Sequence, residues 1–164
     1  MRIHDLRRSI RAVVTGGVVA ALVVMGAPAA SADQERVYVA EMTGAQVLPD
    51  PGDPDGTGTA VITTDSKAGT LCATIHTENV TEEEPYNPIF SILLLDVGPL
   101  PTDPGAIVMV LSAAETTNPD FEGCRSASSD LIKLIRKFPQ RFFVQVHTFA
   151  FSDGAIRGQL TEVA

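Results

Sequence analysis

From Arg36 to Leu160 the chain is cut into short stretches of alternating apolar and polar residues, bounded by glycine, proline, aspartate or asparagine. "RVYVAEM" sets Val37, Val39 and Glu41 against Tyr38 and Ala40. "GTLCATIHTENV" sets Leu71, Ala73, Ile75 and Thr77 against Cys72, Thr74, His76 and Glu78. A period of two puts successive side chains on opposite faces of a strand. "GTGTAVITTD" (Gly56 to Asp65) is rich in threonine and β-branched residues. "IFSILLLDVG" (Ile89 to Gly98) is almost wholly apolar, as a strand buried on both faces would be. "AIVMVL", "RFFVQVHTFAF" and "GAIRGQL" complete the set. Short strands at this spacing predict an all-β antiparallel sandwich or barrel.

One stretch has a different period. "SSDLIKLIRKFP" (Ser128 to Pro139) spaces Leu131, Leu134, Ile135 and Phe138 as one face of a short helix, with Ser129 or Asp130 to cap it and Pro139 to stop it. Asp153-Gly154 suits a two-residue hairpin turn between the last two strands. "LPDPGDPDG" (Leu48 to Gly56) reads as a rigid solvated turn. Its aspartates suggest calcium, but their spacing is not that of an EF-hand. "TEEEPYNP" (Thr81 to Pro88) reads as a solvated loop.

Ahead of the strands, Arg2, Arg7, Arg8 and Arg11 precede an apolar run from Ala12 to Met25, followed by Ala30-Ser31-Ala32. This is the three-part pattern of a secretory signal peptide over residues 1–32. The apolar run is short for a membrane span, which needs about 20 residues. The general export route is expected; Arg7-Arg8 leaves the twin-arginine route open. The expected mature chain, 33–164, is one domain with no further apolar segment of membrane-spanning length. The full chain carries −8, and its first 32 residues hold four arginines and one aspartate, so the mature domain carries −11. So acidic a domain does not attract nucleic-acid phosphates and is repelled by an anionic membrane surface, so neither nucleic acid nor, after signal cleavage, a membrane is expected as its partner. In an exported chain Cys72 and Cys124, the only two cysteines, are expected to form one disulfide.

The sequence offers little for catalysis. It has no glycine-rich phosphate cradle, no G-x-S-x-G, no H-E-x-x-H and no clustered cysteine–histidine set. The mature chain has two histidines, His76 and His147, both on expected strands. With Asp96 or Glu78 they are weak metal-ligand candidates; the plainer reading makes each a hydrogen-bonded strand residue. No spacing selects a nucleophile–base pair or a carboxylate pair.

The stretch "FFVQVHTFAFSDGAIRGQL" resembles the terminal signature of the CHRD domain family, named after chordin and common in secreted bacterial proteins. The matching positions are Phe143, Val144, Val146, His147 and Thr148, then Gly154, Ile156, Arg157, Gly158, Gln159 and Leu160. Gly44, Ala45, Gln46, Gly56, Gly58 and Ala60 resemble the family's opening, and "SSDLIKLIRKF" its short helix. The likeness runs from Val37 to Leu160. It implies an immunoglobulin-like Greek-key β-sandwich, and it does not imply an enzyme. In chordin such domains belong to a growth-factor-binding protein; that ligand is not carried over. One departure stands out. The family's central A-H-I-H-G-P corresponds here to "SILLLDVGP": Gly98-Pro99 remain, but Leu93 to Asp96 replace the histidines.

The expectation is therefore a secreted, non-catalytic domain with one disulfide and no cofactor. Its partner would be an extracellular protein or polysaccharide; the sequence does not set its oligomeric state. His147 would order the terminal hairpin through a hydrogen bond, and Arg157 would reach a carboxylate or backbone carbonyls with its fork of donors. Two alternatives stay open. One is a metal-binding or redox protein using His147, His76 and an acid, which would hold metal and lose it with His147. The other is a hydrolase of an extracellular polymer, which would turn over substrate through its carboxylates. Copper and zinc sites occur on sandwiches of this general shape in superoxide dismutases, an analogy of fold alone.

Overall fold

The computed structural model describes residues 35–81, 87–96 and 105–163. The expected signal peptide, most of the Thr81–Pro88 loop and the Gly98-Pro99 pair lie outside them. The strands are β1 (Glu35–Thr43), β2 (Thr57–Asp65), β3 (Thr70–Glu78), β4 (Ile89–Asp96), β5 (Ala106–Ser112), β6 (Asp120–Ser126), β7 (Phe142–Thr148), β8 (Ile156–Gln159) and β9 (Thr161–Glu162). Among the described residues a single α-helix, α1 (Ser129–Lys137), joins β6 to β7. No helix among the described residues is long and apolar enough to cross a membrane.

All pairings are antiparallel, in the order β5-β4-β7-β8-β1-β2-β3-β6, with β9 also on β1. The outer members β5 and β6 approach each other, so the sheet is nearly closed into a barrel. The all-β expectation with one short helix holds. The hydrogen bonds run through one continuous sheet, so a division into two separate immunoglobulin-like sheets does not appear in the ladder.

Alternation explains the core. Tyr38, Ala40 and Met42 of β1, Ala60 and Ile62 of β2, and Leu71, Ala73 and Ile75 of β3 all point inward. They meet Ile92 and Leu94 of β4 and Val144 and Val146 of β7. Burying one such aliphatic side chain contributes about 1.5–3 kcal/mol. The apolar run of β4 has the expected cause: Leu93 and Leu95, on its other face, are buried as well.

Three local expectations are corrected. The cap of α1 is Ser128, whose Oγ accepts from the Leu131 amide at 3.2 Å, and neither Ser129 nor Asp130 takes that place. Ile132 and Ile135 are its most buried residues; Leu131 and Leu134 flank them, and Phe138 already leaves the helix. Pro139 stops α1 as expected, by opening a 3-10 turn. Ser128→Ala should cost about 1 kcal/mol, read as a lower urea midpoint at unchanged slope; an unchanged midpoint would show that the cap contributes nothing.

The second correction concerns the last hairpin, whose connection spans residues 149–155 rather than two. Asp153-Gly154 does turn the chain: the Gly154 amide donates to the Phe151 carbonyl at 3.1 Å. Gly154 has φ +134, a conformation open to glycine, and a Cβ there would lie 2.6 Å from the Gln145 amide nitrogen.

The Leu48–Gly56 loop also differs from a solvated turn. Asp53 is 6 % exposed, and its amide donates to the Ala155 carbonyl at 2.8 Å. Burial pushes its carboxyl above the usual range, and the adjacent Asp55 adds to the effect. One aspartate thus anchors the loop to the last hairpin instead of facing water.

Candidate functional site

The signature residues meet where β7, β8 and the last hairpin join. Phe143, Gln145 and His147 share the face of β7 that points away from the core, because Phe142, Val144 and Val146 point into it. Even so, Gln145 and His147 are buried. The His147 ring places Nδ1 3.0 Å from the Ser152 carbonyl and Nε2 3.2 Å from the Gln145 Nε2. A carbonyl only accepts, so Nδ1 carries the proton and Nε2 accepts from the Gln145 amide. The second Gln145 amide proton goes to the Asp153 carbonyl at 2.9 Å. Thr148 closes the unit: its Oγ1 accepts from the Phe151 amide at 3.3 Å. The imidazole and the carboxamide together replace ladder bonds that the irregular connection cannot make.

Arg157 lies directly across the β7–β8 ladder from Gln145 and is fully buried. Its guanidinium sits 4.2 Å from the centre of the Phe143 ring, a cation–π contact out of water. Gly158 follows because nothing larger fits: a Cβ would lie 2.6 Å from the Glu41 carbonyl oxygen of β1. Gln159 is exposed at the end of the strand and pairs with Phe143.

A β-bulge between Ile89 and Ser91 turns Phe90 toward this region, with ring centres 6.0 Å from His147 and 5.8 Å from Phe149.

The other candidates lie elsewhere. Asp96 pairs with Phe142 in the ladder and His147 with Ser91, so the two are five residues apart along β7, roughly 17 Å. Asp96 receives two bonds from Arg141, Nε to Oδ1 at 3.1 Å and Nη2 to Oδ2 at 3.0 Å. His76 projects from the outer face of β3, with Nδ1 2.6 Å from Asp120 and Nε2 3.7 Å from Glu78. It borders an open depression of about 280 Å³ that Glu41, Thr57 and Thr59 also line. His147, His76 and Asp96 are not brought together, and among the described residues no group of three His, Cys, Asp or Glu side chains is placed to hold a metal ion.

Cys72 and Cys124 face each other across β3 and β6 and form the expected disulfide.

The CHRD domain family matches over residues 38–160. The chain belongs to the CHRD domain family. No curated protein and no solved structure matches it. In this CHRD domain, then, the terminal signature coincides with one packed unit: a histidine, a glutamine and a buried arginine that hold the last hairpin to β7. Sequence reasoning missed Gln145. Its sign was its place, two residues before His147 and so on the same strand face.

His76 provides a pH test of the β3–β6 edge. Its hydrogen bond to Asp120 raises the imidazole pKa above the usual 6.5, and the charges of Asp120 and Glu78 add to this. The raised folded value means that the contribution is complete below the unfolded pKa of about 6.5 and is lost as pH rises through the folded one. The stability difference between the native chain and His76→Gln should shrink across that window. A difference that is flat with pH would contradict the His76–Asp120 contact.

Proposed function

We propose that this CHRD domain is a secreted, non-catalytic module that acts by binding a partner outside the cell. The observation that carries the reading is the His147 ring, with Nδ1 engaged by the Ser152 carbonyl and Nε2 by Gln145. A histidine so engaged supports the hairpin and keeps neither nitrogen for a metal or a substrate proton. Asp96, likewise held by two bonds from Arg141, serves the fold. The disulfide supports an oxidising compartment, where such bonds persist.

Expression of the full chain in an exporting host tests the location. The expected product is a chain in the medium that begins at Asp33 with both cysteines oxidised; a retained chain with free thiols would contradict export. Incubation with extracellular polysaccharides tests the mode of action. Co-sedimentation without new reducing ends is expected, and sustained release of reducing ends would identify a hydrolase instead.

A further inference from the structure

The acidic net charge of the chain conceals a separation along the barrel. Arg36 is the second residue of β1, after Glu35; Lys67 sits in the β2–β3 turn and Arg125 is near the end of β6. The pairings Arg36 with Thr64 and Leu71 with Arg125 put all three at the same end. Helix α1 is there too, because the Ala127 amide just before it donates to the Gly69 carbonyl at 2.8 Å. The helix adds Lys133, Arg136 and Lys137, and Arg141 follows it at the start of β7. Among the described residues, the remaining base is the fully buried Arg157. The opposite end carries Asp50, Asp53, Asp55, Glu78, Glu115 and Asp153.

Magnitudes decide which charge an approaching partner senses. Strand β1 has nine residues, about 30 Å of length at ~3.3 Å per residue. The Debye length at physiological ionic strength is about 8 Å. The acidic end therefore lies more than three screening lengths from α1 and does not cancel its field. Acids at the α1 end offset part of it: Glu35 and Asp65 oppose each other where β1 and β2 meet it, Glu162 pairs with Arg36, Asp130 with Lys133 and Asp96 with Arg141, so the seven bases there outnumber these five acids by two. The Glu162–Arg36 and Asp130–Lys133 pairs are solvent-accessible and of the weak kind that an incoming anion displaces at little cost. Lys67, Arg125, Lys133 and Lys137 are all exposed.

We propose that the α1 end is a docking surface for an anionic polysaccharide. This rests on the reading of the chain as an extracellular binding module and supplies the class of its partner. The bases follow a path, from the ends of β1, β3 and β6 and then along α1 to β7, instead of converging on one point. Lys133 and Lys137, four residues apart, stand on one face of the helix. A path of this kind meets the repeated charges of an extended polymer better than a single small anion. Whole-chain acidity then works as a filter: it repels anions from every approach except this end.

The test is sedimentation binding of the oxidised, exported chain to dextran sulfate, with neutral dextran and anionic lipid vesicles alongside. Dextran sulfate should bind and dextran should not, and raising NaCl from 50 to 300 mM should weaken binding by about tenfold or more, as counterion release requires. Lys133→Glu combined with Lys137→Glu should weaken it about tenfold, Lys67→Glu should weaken it less, and Asp50→Lys at the far end should leave it unchanged. No binding to dextran sulfate, a gain with Asp50→Lys as large as the loss with the double Lys133 and Lys137 variant, or tight binding to vesicles alone would overturn the proposal. Failure here with export and disulfide intact would leave the secreted binding-module reading standing, because that reading fails by retention or by turnover.

Discussion

Replacing both Cys72 and Cys124 by serine is expected to lower the unfolding free energy by about 4 kcal/mol, the chain-entropy value for a loop closed over 52 residues. The loss should be local before it is global. Among the described residues strand β6 has ladder pairing with β3 alone, and it stands at an end of the sheet order. The disulfide joins directly opposed residues of those strands, and near the other end of the pair His76 holds Asp120. Without the covalent link, β6 should open independently, so amide exchange of residues 120–126 should rise far more than that of β1 or β7. Uniform exchange changes, or a loss under 1 kcal/mol, would show that noncovalent contacts alone hold β6.

Arg157→Met should remove about 2 kcal/mol through loss of the desolvated cation–π contact with Phe143. Methionine keeps much of the stem's volume, so the change reports on the guanidinium more than on a cavity. A double-mutant cycle with Phe143→Leu isolates the contact, and coupling of 1 kcal/mol or more is expected. The melting temperature should fall by several degrees. An unchanged melting curve for Arg157→Met would remove the structural role of this signature residue.

The sequence was most informative where one physical rule acts alone. Alternation in β1 and β3 sorted the residues into the two faces that the barrel then turns inward and outward, because a period of two leaves each residue a single side. The apolar run of β4 announced burial on both faces. Where two rules compete, reading was less certain. Ser128, Ser129 and Asp130 are all able caps, and the choice falls on the residue that is still extended when the helix begins, which is Ser128. Asp153-Gly154 has the composition of a two-residue turn, yet His147 and Gln145 make hydrogen bonds that stabilise a longer one. Asp53 looked solvated beside its prolines, but the Ala155 carbonyl draws it inward. Closure was legible only as a choice between sandwich and barrel, since local pattern does not say which edges meet. The candidate site divides in the same way. The motif marked His147, Thr148, Arg157 and Gly158, and only their three-dimensional partners, Gln145, Ser152 and Phe143, reveal what each one does.

The signature histidine braces the last hairpin with both ring nitrogens engaged. The most direct measurement is the nitrogen spectrum of the His147 ring in the folded, oxidised chain while Zn²⁺ is added to equimolar and then to excess. The expected spectrum is that of a ring protonated at Nδ1, with Nε2 as acceptor, whose signals do not move as zinc is added. A shift of the Nε2 signal at equimolar zinc, together with release of the Gln145 amide, would contradict it and make this residue a metal ligand.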